Sequence, residues 1–180
     1  MKYREALKKA MEMLAENDRI RFIGYNVKYG SRAYGTLNGV QLEKLIETPV
    51  AENLMAGLAI GLSLEGFIPL VWFERHDFIL NALDALVNHA DKINEISHGE
   101  FNVPLIIRAA VGATKPLYPG LQHTQNLTNV LERLMKYSEV IELKTPTQIL
   151  KNYTQIRTSL KKLKRPILFI EYRDLYENEE

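Results

Sequence analysis

Apolar positions along this chain recur with two different periods, and the switches between them mark out the elements. Tyr3, Leu7, Ala10, Met11 and Leu14 fall three and four residues apart among Lys and Glu, which predicts an amphipathic helix over about residues 3–16. The short apolar run from Ile20 to Ile23 predicts a buried strand. Gly24, Gly30, Gly35 and Gly39 then punctuate a stretch rich in Tyr and Asn, a long connection able to carry function. Thr48 before Pro49 reads as a helix entry and Gly66 as its end. Within that helix Ala51, Ala56, Gly57, Ala59 and Gly61 are small, which predicts a neighbouring backbone packed close against it.

Phe67 to Phe73 is a β-type run with Pro69 near its start. Phe78, Ile79, Ala82, Leu83, Leu86, Val87, Ala90 and Ile93 restore the helical period and predict a third helix, with Gly99 closing the segment. Pro104 to Val111 is apolar almost throughout, as in a strand covered on both faces. A loop from Gly112 to about Gln125, rich in Gly, Pro and Thr, holds His123. After it come a helix to about Tyr137, a strand from Val140 to Leu143, a helix opened by Thr145 and Pro146 that runs to Lys164, and a strand from Ile167 to Glu171. This alternation predicts an α/β fold, a parallel sheet flanked by helices, as one domain over residues 1–180. Ligands in such sheets sit outside the carboxyl ends of the strands, which points to the loops after Ile23, Phe73 and Val111. Glu177 to Glu180 reads as a frayed acidic tail.

Charge and composition narrow the functional classes. Lys plus Arg number 23 against 22 Asp plus Glu, so the electrostatic drive for nucleic-acid binding is missing. The basic residues Lys151, Lys161, Lys162, Lys164 and Arg165 read as a solvated face. The absence of cysteine removes thiolate nucleophiles and cysteine-bound metals. No apolar run approaches the roughly 20 residues of a membrane helix, and the charged start of the chain is unlike a signal peptide, so a cytoplasmic protein is expected. Neither common phosphate-binding glycine motif occurs. The four histidines lack zinc-site spacing and no serine lies in a G-x-S-x-G elbow.

The specific stretch is Glu47-Thr-Pro-Val-Ala-Glu52-Asn, then the small-residue helix, Gly66-Phe-Ile-Pro69, and Asp77-Phe-Ile79 with Asp84, Asn88 and Ala90. Gly99-Glu-Phe-Asn-Val-Pro-Leu-Ile-Ile-Arg108, Val111-Gly112, His123-Thr-Gln125, Tyr3-Arg-Glu-Ala6 and Pro166-Ile-Leu-Phe-Ile-Glu171 with Leu175-Tyr176 follow in register. Over nearly all its length the chain resembles the pyrimidine-binding domain of the beta subunit of thiamine-diphosphate-dependent 2-oxo acid dehydrogenases of the pyruvate dehydrogenase type, a domain shared with transketolases.

The resemblance implies that Glu52 is the cofactor-activating glutamate. A carboxyl held away from water can share its proton with N1′ of the aminopyrimidine, favouring the imino form that deprotonates C2 of the thiazolium. The competing reading is a carboxylate favoured by the helix dipole in a first turn. His123 matches a family histidine near the substrate, where it steers protons or binds a carboxylate; a loop histidine is otherwise solvated. Tyr25, Glu74 and Arg75 match positions around the cofactor. Asp77 and Asp84 read as a helix cap and a structural hydrogen bond.

The resemblance implies magnesium and the diphosphate held mainly by an alpha-type subunit, an α2β2 assembly, a 2-oxo acid or sugar substrate, and neither a nucleic-acid nor a membrane partner. Four departures stand out. Tyr25 and Asn26 replace a family acidic pair, which puts proton relay between sites in question. Arg75 stands where the resemblance places an aromatic residue stacked on the pyrimidine. The segment between Gly39 and Glu47 is short, and the chain stops where the beta subunit would continue into a carboxyl-terminal domain. Of these, Tyr25 and Arg75 favour the alternative, a degenerate structural or regulatory subunit of the same fold, whereas Glu52 and His123 favour the enzyme.

Overall fold

The computed structural model describes residues 1–178. Strands β1 (Ile20–Gly24), β2 (Leu45–Glu47), β3 (Ile68–Phe73), β4 (Ile106–Val111), β5 (Glu139–Glu142) and β6 (Ile167–Tyr172) form one parallel sheet in the order β2-β1-β3-β4-β6-β5. All six residues of β3 are buried, because both faces of the sheet are covered. Ile68, Leu70 and Trp72 join the core under helices α1 (Tyr3–Ala15) and α5 (Pro146–Ser159). Val71 and Phe73 join the core under α2 (Glu52–Leu64) and α4 (Thr128–Leu134). Pro69 sits opposite Arg21 at the strand start, as its missing donor requires.

Four sequence expectations need correction. Helix α2 begins at Glu52, not at Thr48, because Thr48 still extends the β2 ladder, donating its backbone N–H to the Gly24 carbonyl at 2.9 Å. The expected third helix is wound in three ways: a 3-10 stretch His76–Ala82, a π stretch Asp84–Ala90, and a short α3 (Ile93–Ile96). Periodicity marks the apolar face, and here Ile79, Ala82, Leu86 and Ala90 are buried as expected, but it does not specify the winding. Helix α5 stops at Ser159 and gives way to a 3-10 turn, Leu160–Lys162, that turns Leu160 inward. Glu177 is tied down by Arg4 at 3.1 Å and Lys2 at 3.5 Å, so the tail is held at least that far; Glu179 and Glu180 lie outside the described residues.

β2 escaped the sequence reading because three residues carry too little pattern. The small residues of α2 divide by face: Ala56 and Ala59 are buried, whereas a Cβ at Gly57 or Gly61 would meet nothing within 4 Å. The close approach expected at those glycines is therefore not made within this chain.

Between β4 and β6 lies a fully buried ion pair. Arg108 donates from Nε and Nη2 to Glu171 at 2.5 and 3.0 Å, its guanidinium lies 4.7 Å from the Trp72 ring centre, and the Tyr176 hydroxyl donates to Glu171 at 2.7 Å. Among the described residues no helix is long and apolar enough to cross a membrane.

Candidate functional site

The carboxyl ends of β1, β3 and β4 converge, and the chain leaves each in a conformation set by local chemistry. Gly24 ends β1 against Trp72, where a Cβ would come within 2.9 Å of the Trp72 carbonyl oxygen, so only glycine lets the chain pass. The next turn is held by Glu47, whose carboxylate accepts the backbone N–H groups of Asn26 (2.7 Å), Val27 (3.0 Å) and Lys28 (2.7 Å). Asn26, turned to φ 55°, donates from Nδ2 to Glu74 at 2.8 Å. Tyr34 also donates to Glu74, and burial together with that carboxylate pushes its phenol up to about 12.

Glu52 opens α2 and is only 5% exposed. Its Oε2 accepts from Asn81 Nδ2 at 3.2 Å, and its other oxygen makes no hydrogen bond with the described residues. Tyr25 lies close by: burial, then Glu52 and Glu74, raise its phenol well above the ordinary value. Arg75 is half-buried and donates from Nη1 to the Gly112 carbonyl at 3.0 Å, tying the end of β3 to the loop after β4. Tyr25, Glu52, Glu74 and Arg75 are thus gathered at the place expected from the sequence.

His123 meets the 76–82 turn at Phe78, its ring edge-on at 5.3 Å. Phe78 and Asn81 are three residues apart in a 3-10 stretch, where such positions eclipse one another. One face of one turn therefore carries the partner of Glu52 and the partner of His123, although the two residues are not in contact with each other. Asp77 makes no cap; its Oδ1 accepts from the backbone and side-chain nitrogens of Gln125 at 3.0 and 3.1 Å. Asp84 accepts from Asn88 at 2.9 Å on the surface, the structural role expected of it. Of the basic face, Arg165 is paired with Glu95.

The sequence reading missed several groups. Glu47 was quoted only as part of a motif, and nothing in its spacing says that it will organise a turn some twenty residues earlier. Phe78 reads in the sequence only as a helical position, and Asn81 carries no signal there. Arg173 was not singled out: its guanidinium lies 3.5 Å from the Tyr34 ring centre and 4.4 Å from that of Tyr176, and it makes no hydrogen bond or ion pair with the described residues. It borders an open cleft of about 670 Å³ lined by charges of both signs, Arg4 and Lys115 with Asp174 and Glu177. No group of three His, Asp or Glu among the described residues could hold a metal ion.

Residues 1–178 match the family described as the transketolase pyrimidine-binding domain. The chain belongs to this family. It is 35% identical over 130 residues to the pyruvate dehydrogenase E1 component subunit beta of Rickettsia conorii, covering 69% of this chain and 39% of that protein. The corresponding subunit of Rickettsia felis is 31% identical over 179 residues, covering 96% of this chain and 52% of that one. The chain thus spans about half the length of such full-length matches. Among solved structures, one described as a split gene transketolase, inactive beta4 tetramer, superimposes with a TM-score of 0.70 at 20% identity, covering 94% of this chain and 51% of that chain. That likeness bears on the transketolase-like fold, which is the fold expected from the sequence.

Proposed function

We propose that this chain is the pyrimidine-side, beta-type subunit of a split thiamine-diphosphate-dependent enzyme acting on a 2-oxo acid or ketose, with its active site completed by an alpha-type subunit. The observation that carries the reading is Glu52: a nearly buried carboxylate at a helix start, one oxygen held by Asn81 and the other left without a partner. That arrangement suits a group that exchanges a proton with a ring nitrogen. When bound, thiamine diphosphate supplies a nucleophilic carbon that adds to the substrate carbonyl. Glu52 would hold N1′ and share its proton, and the Tyr25 and Asn26 region with Glu74 would border the ring.

Phe78 rather than Arg75 would supply the aromatic face in this reading, because it shares the 76–82 stretch with Asn81, the partner of Glu52, and meets His123 edge-on, while Arg75 is turned to Gly112. The departure at Arg75 then costs the site no stacking partner. His123 would orient the substrate and move its proton.

The outer face of α2 supports a partner. Leu54 is 52% exposed, and the open sites at Gly57 and Gly61 would let a second chain approach closely. An α2β2 assembly is the simplest arrangement. The alternative, a non-catalytic subunit of the same fold, is favoured by one observation, the Arg75 bond to the Gly112 carbonyl, which engages a side chain beside the site with the loop after β4.

The test is co-expression with a diphosphate-side subunit from the same genome, followed by calorimetric titration with thiamine diphosphate and assays on 2-oxo acids and ketose phosphates. Turnover is expected only in the mixture, and Glu52→Gln abolishes it while leaving the assembly intact on size exclusion. Full activity in the Glu52→Gln assembly would refute the mechanism. Assembly without cofactor binding would establish the non-catalytic reading.

A further inference from the structure

His76 and Asp77 are buried polar residues at the carboxyl end of β3 that the proposed chemistry does not use; they are 0% and 4% exposed. His76 Nε2 accepts the backbone N–H of Leu127 at 3.3 Å. Asp77 Oδ1 accepts both nitrogens of Gln125, backbone at 3.0 Å and side chain at 3.1 Å. The ring of Phe78 meets that of His123 at 5.3 Å. Three consecutive residues thus engage 127, 125 and 123 in turn, running in opposite directions.

Each of the two polar residues keeps its second polar atom, His76 Nδ1 and Asp77 Oδ2, buried without a partner. Such atoms are unfavourable, so two side by side are not explained by stability alone. What they hold is the connection between β4 and α4, which has only the short turn Leu121–His123 as regular structure and leaves Leu117 and Leu121 more than three-quarters exposed. An untethered connection of this length would spread His123 over many positions. A group displaced by about 1 Å from its productive geometry can lose on the order of a hundredfold in rate.

We propose that His76, Asp77 and Phe78 form a latch that fixes His123 in the site, with Asp77 as a positioning residue acting through Gln125. The inference rests on the proposed function only in taking His123 as a working group of that site.

The first measurement uses the chain alone, by NMR. Phe78 imposes a ring-current shift on the His123 Cε1 proton, and the Gln125 and Leu127 amides are protected from exchange. Asp77→Ala is expected to abolish the ring-current shift and speed Gln125 exchange at least tenfold, whereas Asp77→Asn, which keeps the Oδ1 acceptor, retains both. Gln125→Ala, at an exposed residue, loosens the latch without touching the core and serves if Asp77→Ala does not fold.

The second measurement uses the complete assembly. Asp77→Ala is expected to lower kcat at least tenfold with KM little changed, and to add nothing when His123 is already Ala. Unchanged His123 signals in both Asp77→Ala and Gln125→Ala would overturn the latch. So would Asp77→Asn behaving like Asp77→Ala, or independent effects of Asp77→Ala and His123→Ala on kcat. The NMR result concerns the chain alone, so a failed latch and a failed proposed function are told apart.

Discussion

His76 shows how a single side chain can tie site geometry to solution conditions. Burial lowers its pKa from 6.5 to about 4, with Asp77 opposing that shift, so the folded protein keeps the ring neutral while the unfolded chain protonates it from about 6.5 downward. The unfolded state therefore binds the extra proton, and stability falls as the pH falls. The contribution is complete above about 6.5 and is lost progressively as the pH drops towards about 4, amounting to roughly 3 kcal/mol in all. Urea unfolding at pH 7 and pH 5 should show this loss, and His76→Phe should flatten that slope. An unchanged slope in the variant would remove His76 as its source. The same residue accepts from Leu127, so acid should loosen the His123 segment first.

At the level of elements, α2 combines two roles that conflict inside one chain. Its inner face packs through Met55, Ala56 and Ala59, and its first residue is Glu52. Its outer face carries Leu54, Gly57 and Gly61, which are exposed among the described residues. Glycine within an exposed helix is unfavourable by about 1 kcal/mol relative to alanine. Gly57→Ala and Gly61→Ala should each stabilise the isolated chain by about that amount, raising its melting temperature by about 2–4 °C. In the complete assembly the same substitutions should weaken subunit association, measured by sedimentation equilibrium. Stabilisation of the chain with unaltered association would mean that the face is not a subunit contact.

For the whole molecule, the buried Arg108–Glu171 pair joins β4 to β6 and, through Tyr176 and Thr36, fastens both the chain end and the long connection after β1. Desolvation of two charges offsets most of their attraction, so the pair contributes little net stability, but either charge alone is costly. Arg108→Met should destabilise the fold by about 3–5 kcal/mol in urea unfolding, and adding Glu171→Leu should recover at least half of that loss. A double variant as unstable as the single one would show that Thr36 and Tyr176, rather than the charge, carry the effect.

How much of this was open to a reader of the sequence alone follows from the range of the forces involved. Strand and helix order was legible because burial on one or both faces imposes a period on neighbouring residues, as in β3 and α1. Membership of the family was legible through motifs in register, the same motifs that single out Glu52 and His123. The start of α2, the winding of residues 76–96 and the strand at Leu45–Glu47 were not, because a ladder bond from Thr48 to Gly24 and packing against distant segments override local preference. The pairing of Glu47 with Asn26, Asp77 with Gln125 and Asn81 with Glu52 spans between 21 and 48 residues, and no local pattern encodes it. Periodicity thus settled the layers of the molecule, while hydrogen bonds between segments remote in the chain decided which polar groups face the site and which hold it.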